Sequence, residues 1–213
     1  MTESGARTVL VAPERLAGWL ERFAASHGDV QVSASNDVVA LHAVDGSAAR
    51  CEVPFPPLHP DPRAPWQTLV DHARHGRKVA VLLIRRGGYA AGVFEAATLV
   101  ASKVGNRYVQ GRTAAGGTSQ QRFSRRRDNQ AAALVGSAVE VALRIIAPES
   151  PTLTALFTGG DRPLIASALA DPRLAKVAAL PRGPWLVVGD PRLKVLREAG
   201  QSARAVRITI LDG

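Results

Sequence analysis

Residues 78–112 read KVAVLLIRRGGYAAGVFEAATLVASKVGNRYVQGR, apolar runs that predict three successive strands, with Gly87-Gly88 turning the first into the second. A long helix is expected next, over about 120–146, QQRFSRRRDNQAAALVGSAVEVALRII. Its first turns are cationic, whereas its later turns carry Leu134, Val135, Val139, Val141, Ala142, Ile145 and Ile146, so it should begin in solvent and end packed on a sheet. Beyond it, LTALFTG, WLVVGD and AVRITILDG read as strands, and DRPLIASALAD and DPRLKVLREAG as helices. Pro163 and Pro191 suit first-turn positions after Asp161 and Asp190.

Upstream, PERLAGWLERFAASH (13–27) sets Leu16, Trp19, Leu20 and Phe23 at helical spacing, and Gly28 would end that helix. VQVSAS, VVALHAV and ARCEVPF read as short strands, with Asn36-Asp37 and Asp45-Gly46 as hairpin signals. The stretch 54–65, PFPPLHPDPRAP, holds six prolines and reads as a linker; a short helix, WQTLVDHARHG, follows it. Antiparallel strands followed by alternating strands and helices predict an α/β protein of the α+β kind, a mixed sheet covered by helices. The expected division is a small N-terminal αβ module over 1–60 and a larger domain over 66–213.

At 213 residues and 46% hydrophobic content the chain can bury a sizeable core. No stretch reaches the roughly 18 apolar residues of a membrane span, and the N-terminus MTESGARTVLVAPERL lacks the pattern of a signal peptide. The single cysteine, Cys51, excludes an internal disulfide and a cysteine-based zinc site, and its strand context predicts a buried structural thiol. A reduced, cytoplasmic protein is expected. The formal charge of +9 is unevenly spread. Between Glu95 and Asp128 there is no acidic residue, while Lys103, Arg107, Arg112, Arg122, Arg125, Arg126 and Arg127 place seven positive charges there. An unmixed block of that kind suits a polyanion, of which nucleic-acid phosphate is the commonest.

Ordinary catalytic machinery is missing from the sequence. All five histidines lie within the first 75 residues, and His72 and His75, though three apart, have no ligand pattern around them. There is no G-x-S-x-G, P-loop or H-E-x-x-H. Asp161, Asp171 and Asp190 fall where helix caps would be, which accounts for them better than a metal-dependent nuclease does. Neither metal nor cofactor is expected. What remains is GRTAAGGTS (111–119), with no apolar side chain larger than alanine, followed by Gln120 and Gln121 and then the arginines. Gly116-Gly117 permits a close approach of backbone to a partner. A glutamine cannot act as a general base at neutral pH, but its amide can orient a water molecule, and nearby backbone N–H groups can stabilise an oxyanion. Such a site requires a host that supplies the reactive ester.

The motif resembles the Gly-Gly-Gln loop in the middle domain of archaeal and eukaryotic class-1 release factors. In GGTSQQRFSRRR, Gly116, Gly117, Arg122, Phe123, Arg125 and Arg127 fall on that family's pattern without a gap, while Thr118 stands in place of its glutamine. A nearer resemblance is to the release-factor-like domain of the Vms-type, ankyrin-and-zinc-finger peptidyl-tRNA hydrolases. Gly117, Thr118, Ser119 and Gln120 can be laid on that group's loop, and SRRRDNQAA is similar to the run that follows it. The chain looks like a minimal actinobacterial member, and the resemblance covers about 66–213 as a fold pattern and 116–130 as a motif.

That resemblance implies a release-factor middle-domain fold and release of stalled nascent chains from tRNA on the large ribosomal subunit. Gln120, with Gln121 in reserve, would place the hydrolytic water, and Gly116 and Gly117 would let the tip reach the ester. Arg122, Arg125, Arg126 and Arg127 would contact rRNA or tRNA, joined by Lys103, Arg107 and Arg112 on the incoming strand. Phe123 could stack on a base or pack on the sheet. The expected partners are the large subunit and peptidyl-tRNA, with the protein a monomer and no membrane involved. Two alternatives stay open: a non-enzymatic RNA-binding ribosome factor, and a nuclease cutting the tRNA near its acceptor end.

Overall fold

The computed structural model describes residues 6–106 and 119–213, and of 119–128 the backbone alone. The chain divides into two compact units, 1–76 with 204–213, and 77–203.

The first unit is an antiparallel sheet with two helices. β1 (Arg7–Val11) leads into α1 (Pro13–His27), then β2 (Val30–Ala34), β3 (Val38–Ala43), β4 (Ala48–Glu52) and α2 (Pro65–Arg74). Proline at the start of α1 costs no hydrogen bond, because the first N–H groups of a helix have no partner within it. Gly28 ends α1 at φ 82°, a conformation that glycine adopts without strain. Leu16, Leu20 and Phe23 are buried at helical spacing, and Trp19, half-buried, stacks on Phe23. They meet Leu69, Val70 and Ala73 of α2 and the inward positions Val39, Leu41, Ala49 and Cys51 of the sheet.

The last strand of the chain, β9 (Val206–Leu211), completes this sheet, whose order is β1-β9-β4-β3-β2. It lies antiparallel to both neighbours, with Ile208 opposite Val9 on one side and Cys51 on the other. The strand expected over AVRITILDG therefore exists but belongs to the N-terminal unit. The division falls between Gly76 and Arg77, beyond the proline-rich stretch expected to mark it. The proline stretch stays with the first unit because Leu58 is buried in that core, its N–H donating to the Asn36 carbonyl at 2.7 Å. β1 was not expected: its five residues sit against the N-terminus, and only Val11 is buried.

In the second unit β5 (Lys78–Arg85), β6 (Gly88–Glu95) and β7 (Thr98–Asn106) form the expected antiparallel meander, with Arg86-Gly87 at the first turn. α3 (Ser119–Ile145) follows, then a 3₁₀ turn at Ala147–Thr152 and β8 (Ala155–Gly160), which joins β5 in parallel. The order is β7-β6-β5-β8, a mixed sheet. β5 is central and buried from Val79 to Ile84, which is why it reads as an unbroken apolar run. The chain continues through α4 (Arg162–Leu169), a 3₁₀ turn at Pro172–Leu174, α5 (Ala175–Ala178) and α6 (Leu193–Arg204). Leu134, Ala138, Val139 and Ala142 of α3 pack with Ala80, Leu82, Ile84, Ala91 and Val93 on one face, joined by Ile165 of α4. On the other face α6 sets Leu196 beside Gly92 and Gly200 beside the Phe94 ring.

WLVVGD does not form a strand. Within it only Leu186 bridges β8, opposite Gly159, and a second isolated bridge, Arg182 with Leu156, lies just before it. Pro181 and Pro184 have no N–H to donate, so a continuous ladder cannot form there. α6 starts at Leu193, so Pro191 and Asp190 precede the helix instead of opening it.

Candidate nucleic-acid interface

Pairing in the second unit collects several chain ends at one edge of the sheet. Gly88 lies opposite both Arg85 and Asn106, and Ile84 lies opposite Gly160. The end of β5, the start of β6, the end of β7 and the end of β8 are therefore neighbours. α3 leads through the 3₁₀ turn to the start of β8, which pairs with the start of β5. At that far end Lys78 Nζ bonds Glu149 Oε2 at 2.6 Å. Since α3 packs along β5, β6 and β7, its first residues belong to the Gly88 end. A helix of 27 residues is about 40 Å long against about 26 Å for eight-residue β5, so α3 is longer than the strands it packs on.

Gly116, Gly117, Arg107 and Arg112 lie outside the described residues. Gln120, Gln121, Arg122, Arg125, Arg126 and Arg127 fall within the first turns of α3, and their side chains are outside the description. A helix start carries N–H groups without intrahelical partners and a partial positive charge, both of which suit an anion. Lys103 is exposed on edge strand β7, opposite Ala91. The sequence thus places 107–118 between the end of β7 and the start of α3, with the arginine run on the helical side.

The described rim of this edge is fixed by three hydrogen bonds that the sequence did not reveal. Asp161, expected to cap α4, uses its Oδ2 to accept from the Arg86 N–H at 3.2 Å, and its own N–H donates to the Ile84 carbonyl at 2.7 Å. Arg85 Nη1 donates to the Val188 carbonyl at 3.0 Å. The hairpin between β5 and β6 is thereby tied to the start of α4 and to the 186–190 segment. Asp171 does cap, accepting from the Arg173 N–H at 3.0 Å. Hydrogen bonding to Arg173 holds its carboxyl below the usual carboxylate range. Among the described residues no group of three or more His, Cys, Asp or Glu could hold a metal ion, and no helix is long and apolar enough to cross a membrane.

The other residues singled out above lie in the first unit. His72 Nε2 donates to the Pro54 carbonyl at 2.8 Å, and His27 Nδ1 is 2.8 Å from Asp45 Oδ2. Cys51 is fully buried, and burial pushes its thiol up to about 12, as befits a structural residue.

No curated protein matches the sequence. Among solved structures, "Vms1 mitochondrial localization core" is similar at 10% identity and a TM-score of 0.46, over 91% of this chain and 81% of that one. The crystal structure of the archaeal translation termination factor aRF1 is similar at 12% identity and a TM-score of 0.42, over 94% and 67%. The sequence model of the acVLRF1 family, described as Actinobacteria/chloroflexi VLRF1 release factor, matches residues 77–209. The chain therefore belongs to the actinobacterial and chloroflexi VLRF1 release-factor family, a release-factor-like protein whose role is translation-related and ribosome-associated.

Proposed function

We propose that this protein hydrolyses the ester of peptidyl-tRNA on the large ribosomal subunit and so releases stalled nascent chains. The observation that carries the reading is the run from Gly116-Gly117 to Gln120-Gln121 and the arginines, which follows β7 in the sequence and continues into the first turns of α3, in a chain of a release-factor family. In this reading the glycine pair lets backbone enter a narrow site, and Arg122, Arg125, Arg126 and Arg127 seat the helix start on RNA phosphates. Lys103, Arg107 and Arg112 add contacts that contribute affinity without sequence preference.

The chemistry is addition of water to the ester carbonyl. Gln120 orients that water through its amide, and N–H groups at the helix start stabilise the oxyanion as the tetrahedral intermediate forms. Collapse of the intermediate breaks the acyl–oxygen bond as one of the water's protons passes to the ribose oxygen, leaving an intact tRNA and a peptide carboxylic acid that ionises to solvent. Neither metal nor cofactor takes part.

The products discriminate among the readings. Incubation with ribosome-bound peptidyl-tRNA bearing a labelled nascent chain should yield free peptide and full-length tRNA. A shortened tRNA still joined to the peptide would instead identify a nuclease. Binding with neither product would identify a non-enzymatic RNA-binding factor.

A further inference from the structure

We infer that Arg86 and Arg162 form a second phosphate-contacting pair at the sheet edge, one that grips the RNA backbone and positions the protein without taking part in the chemistry. In naming RNA the inference rests on the ribosomal reading above. In its geometry it rests on described residues alone.

The two arginines come from segments 76 positions apart and are joined by strand pairing. Ile84 lies opposite Gly160, and the Asp161 carboxylate accepts the Arg86 N–H, so the hairpin turn and the start of α4 are held together by backbone geometry. Both side chains are exposed. Neither is paired with a carboxylate among the described residues, whereas Arg173 is neutralised by Asp171 and Glu140, and Lys78 by Glu149. Two acidic groups sit on the same segments: Asp161, whose carboxylate accepts the Arg86 N–H, and Asp190, exposed beside Gly87.

Arg162 is held more firmly than an ordinary surface arginine. Its guanidinium lies over the Trp185 ring, 4.3 Å from the centroid, and Trp185 packs half-buried against the core of the unit. That contact holds the guanidinium against the ring and uses none of its N–H donors in a hydrogen bond, leaving them for a partner. A planar fork of donors matches the oxygens of a phosphate, which a point charge does not. Arg85, by contrast, is engaged by the Val188 carbonyl and serves to brace the turn. The pair thus extends the cationic surface expected from the arginine run onto a second set of elements at the same edge. Two anchor points restrict rotation of the protein on RNA, which one helix start alone would not.

The test compares wild type, Arg86→Gln, Arg162→Gln, the double variant and Arg162→Lys. Each would be measured for binding to a fluorescein-labelled RNA hairpin of mixed sequence and to large ribosomal subunits, across a salt series. Melting curves matching wild type establish that each variant is folded. The expected result is weaker binding, a salt slope reduced by about one unit per arginine removed, and an intermediate affinity for Arg162→Lys, which keeps the charge and loses the fork. In chain release the double variant should raise KM and leave kcat unchanged at saturation. Wild-type affinity and slope in the double variant would overturn the inference, as would a loss of kcat with binding intact. Gln120→Ala, run alongside, should bind as wild type does. RNA binding without chain release by the wild-type protein would count against the hydrolase reading alone.

Discussion

Some side chains of this protein do chemistry and others hold shape. Cys51 is of the second kind. Its thiol is buried between β3 and β9, and desolvation of the thiolate raises its pKa to about 12. The folded state therefore keeps the proton over a range in which the unfolded chain has lost it. This term stabilises the fold fully below the ordinary thiol pKa and is lost as pH rises from there towards about 12. At pH 8 a thiol reagent should leave the native protein unlabelled and react with one equivalent once denaturant is added. Prompt native labelling would contradict the burial. The structural reading of Cys51 was legible because an apolar strand surrounds it. The roles of Arg86 and Arg162 were not, because only the pairing of β5 with β8 brings them together.

Among elements, α6 illustrates how close packing depends on one missing methyl group. A Cβ added at Gly200 would overlap the ring of Phe94, which is 2% exposed and has no room to retreat. Alanine is the better helix former by about 1 kcal/mol, but overpacking a filled core costs about 1–3 kcal/mol, so the clash should win. Gly200→Ala should lower the melting temperature of the second unit by a few degrees. An unchanged or raised melting temperature would show that α6 slides easily on the sheet. β5, β6, β7 and α3 were legible because long apolar runs and strong periodicity dominate them. The segment WLVVGD misled because its valines suggested a strand, while the prolines around it deny the ladder its donors. The fully exposed Val187 shows that apolar character there does not report burial (96% exposed).

For the whole molecule, the N-terminal sheet depends on the C-terminal strand. β9 lies between β1 and β4 and contributes Val206, Ile208 and Ile210 to the core. Burying three such side chains stabilises by roughly 5–9 kcal/mol, comparable to the entire stability of a small domain. Removal of residues 205–213 should therefore abolish amide protection across β1 to β4. Retained protection there would contradict the observed order of the sheet. This dependence was not legible in the sequence. Partners as distant as Cys51 and Ile208 carry no local signal, and the final strand follows directly on a helix of the other unit. The candidate loop lies outside the described residues, and its proposed role rests on composition and motif: it lacks bulk, acid groups and apolar anchors.

The measurement that bears most directly on the central claim is the rate of nascent-chain release from ribosome-bound peptidyl-tRNA, for wild type, Gln120→Ala and Gln121→Ala at saturating protein. Loss of one preorganised amide should slow release by on the order of a hundredfold or more in Gln120→Ala, with binding and tRNA length unchanged. Release at the wild-type rate in both variants would contradict the assignment of water placement to this pair of glutamines.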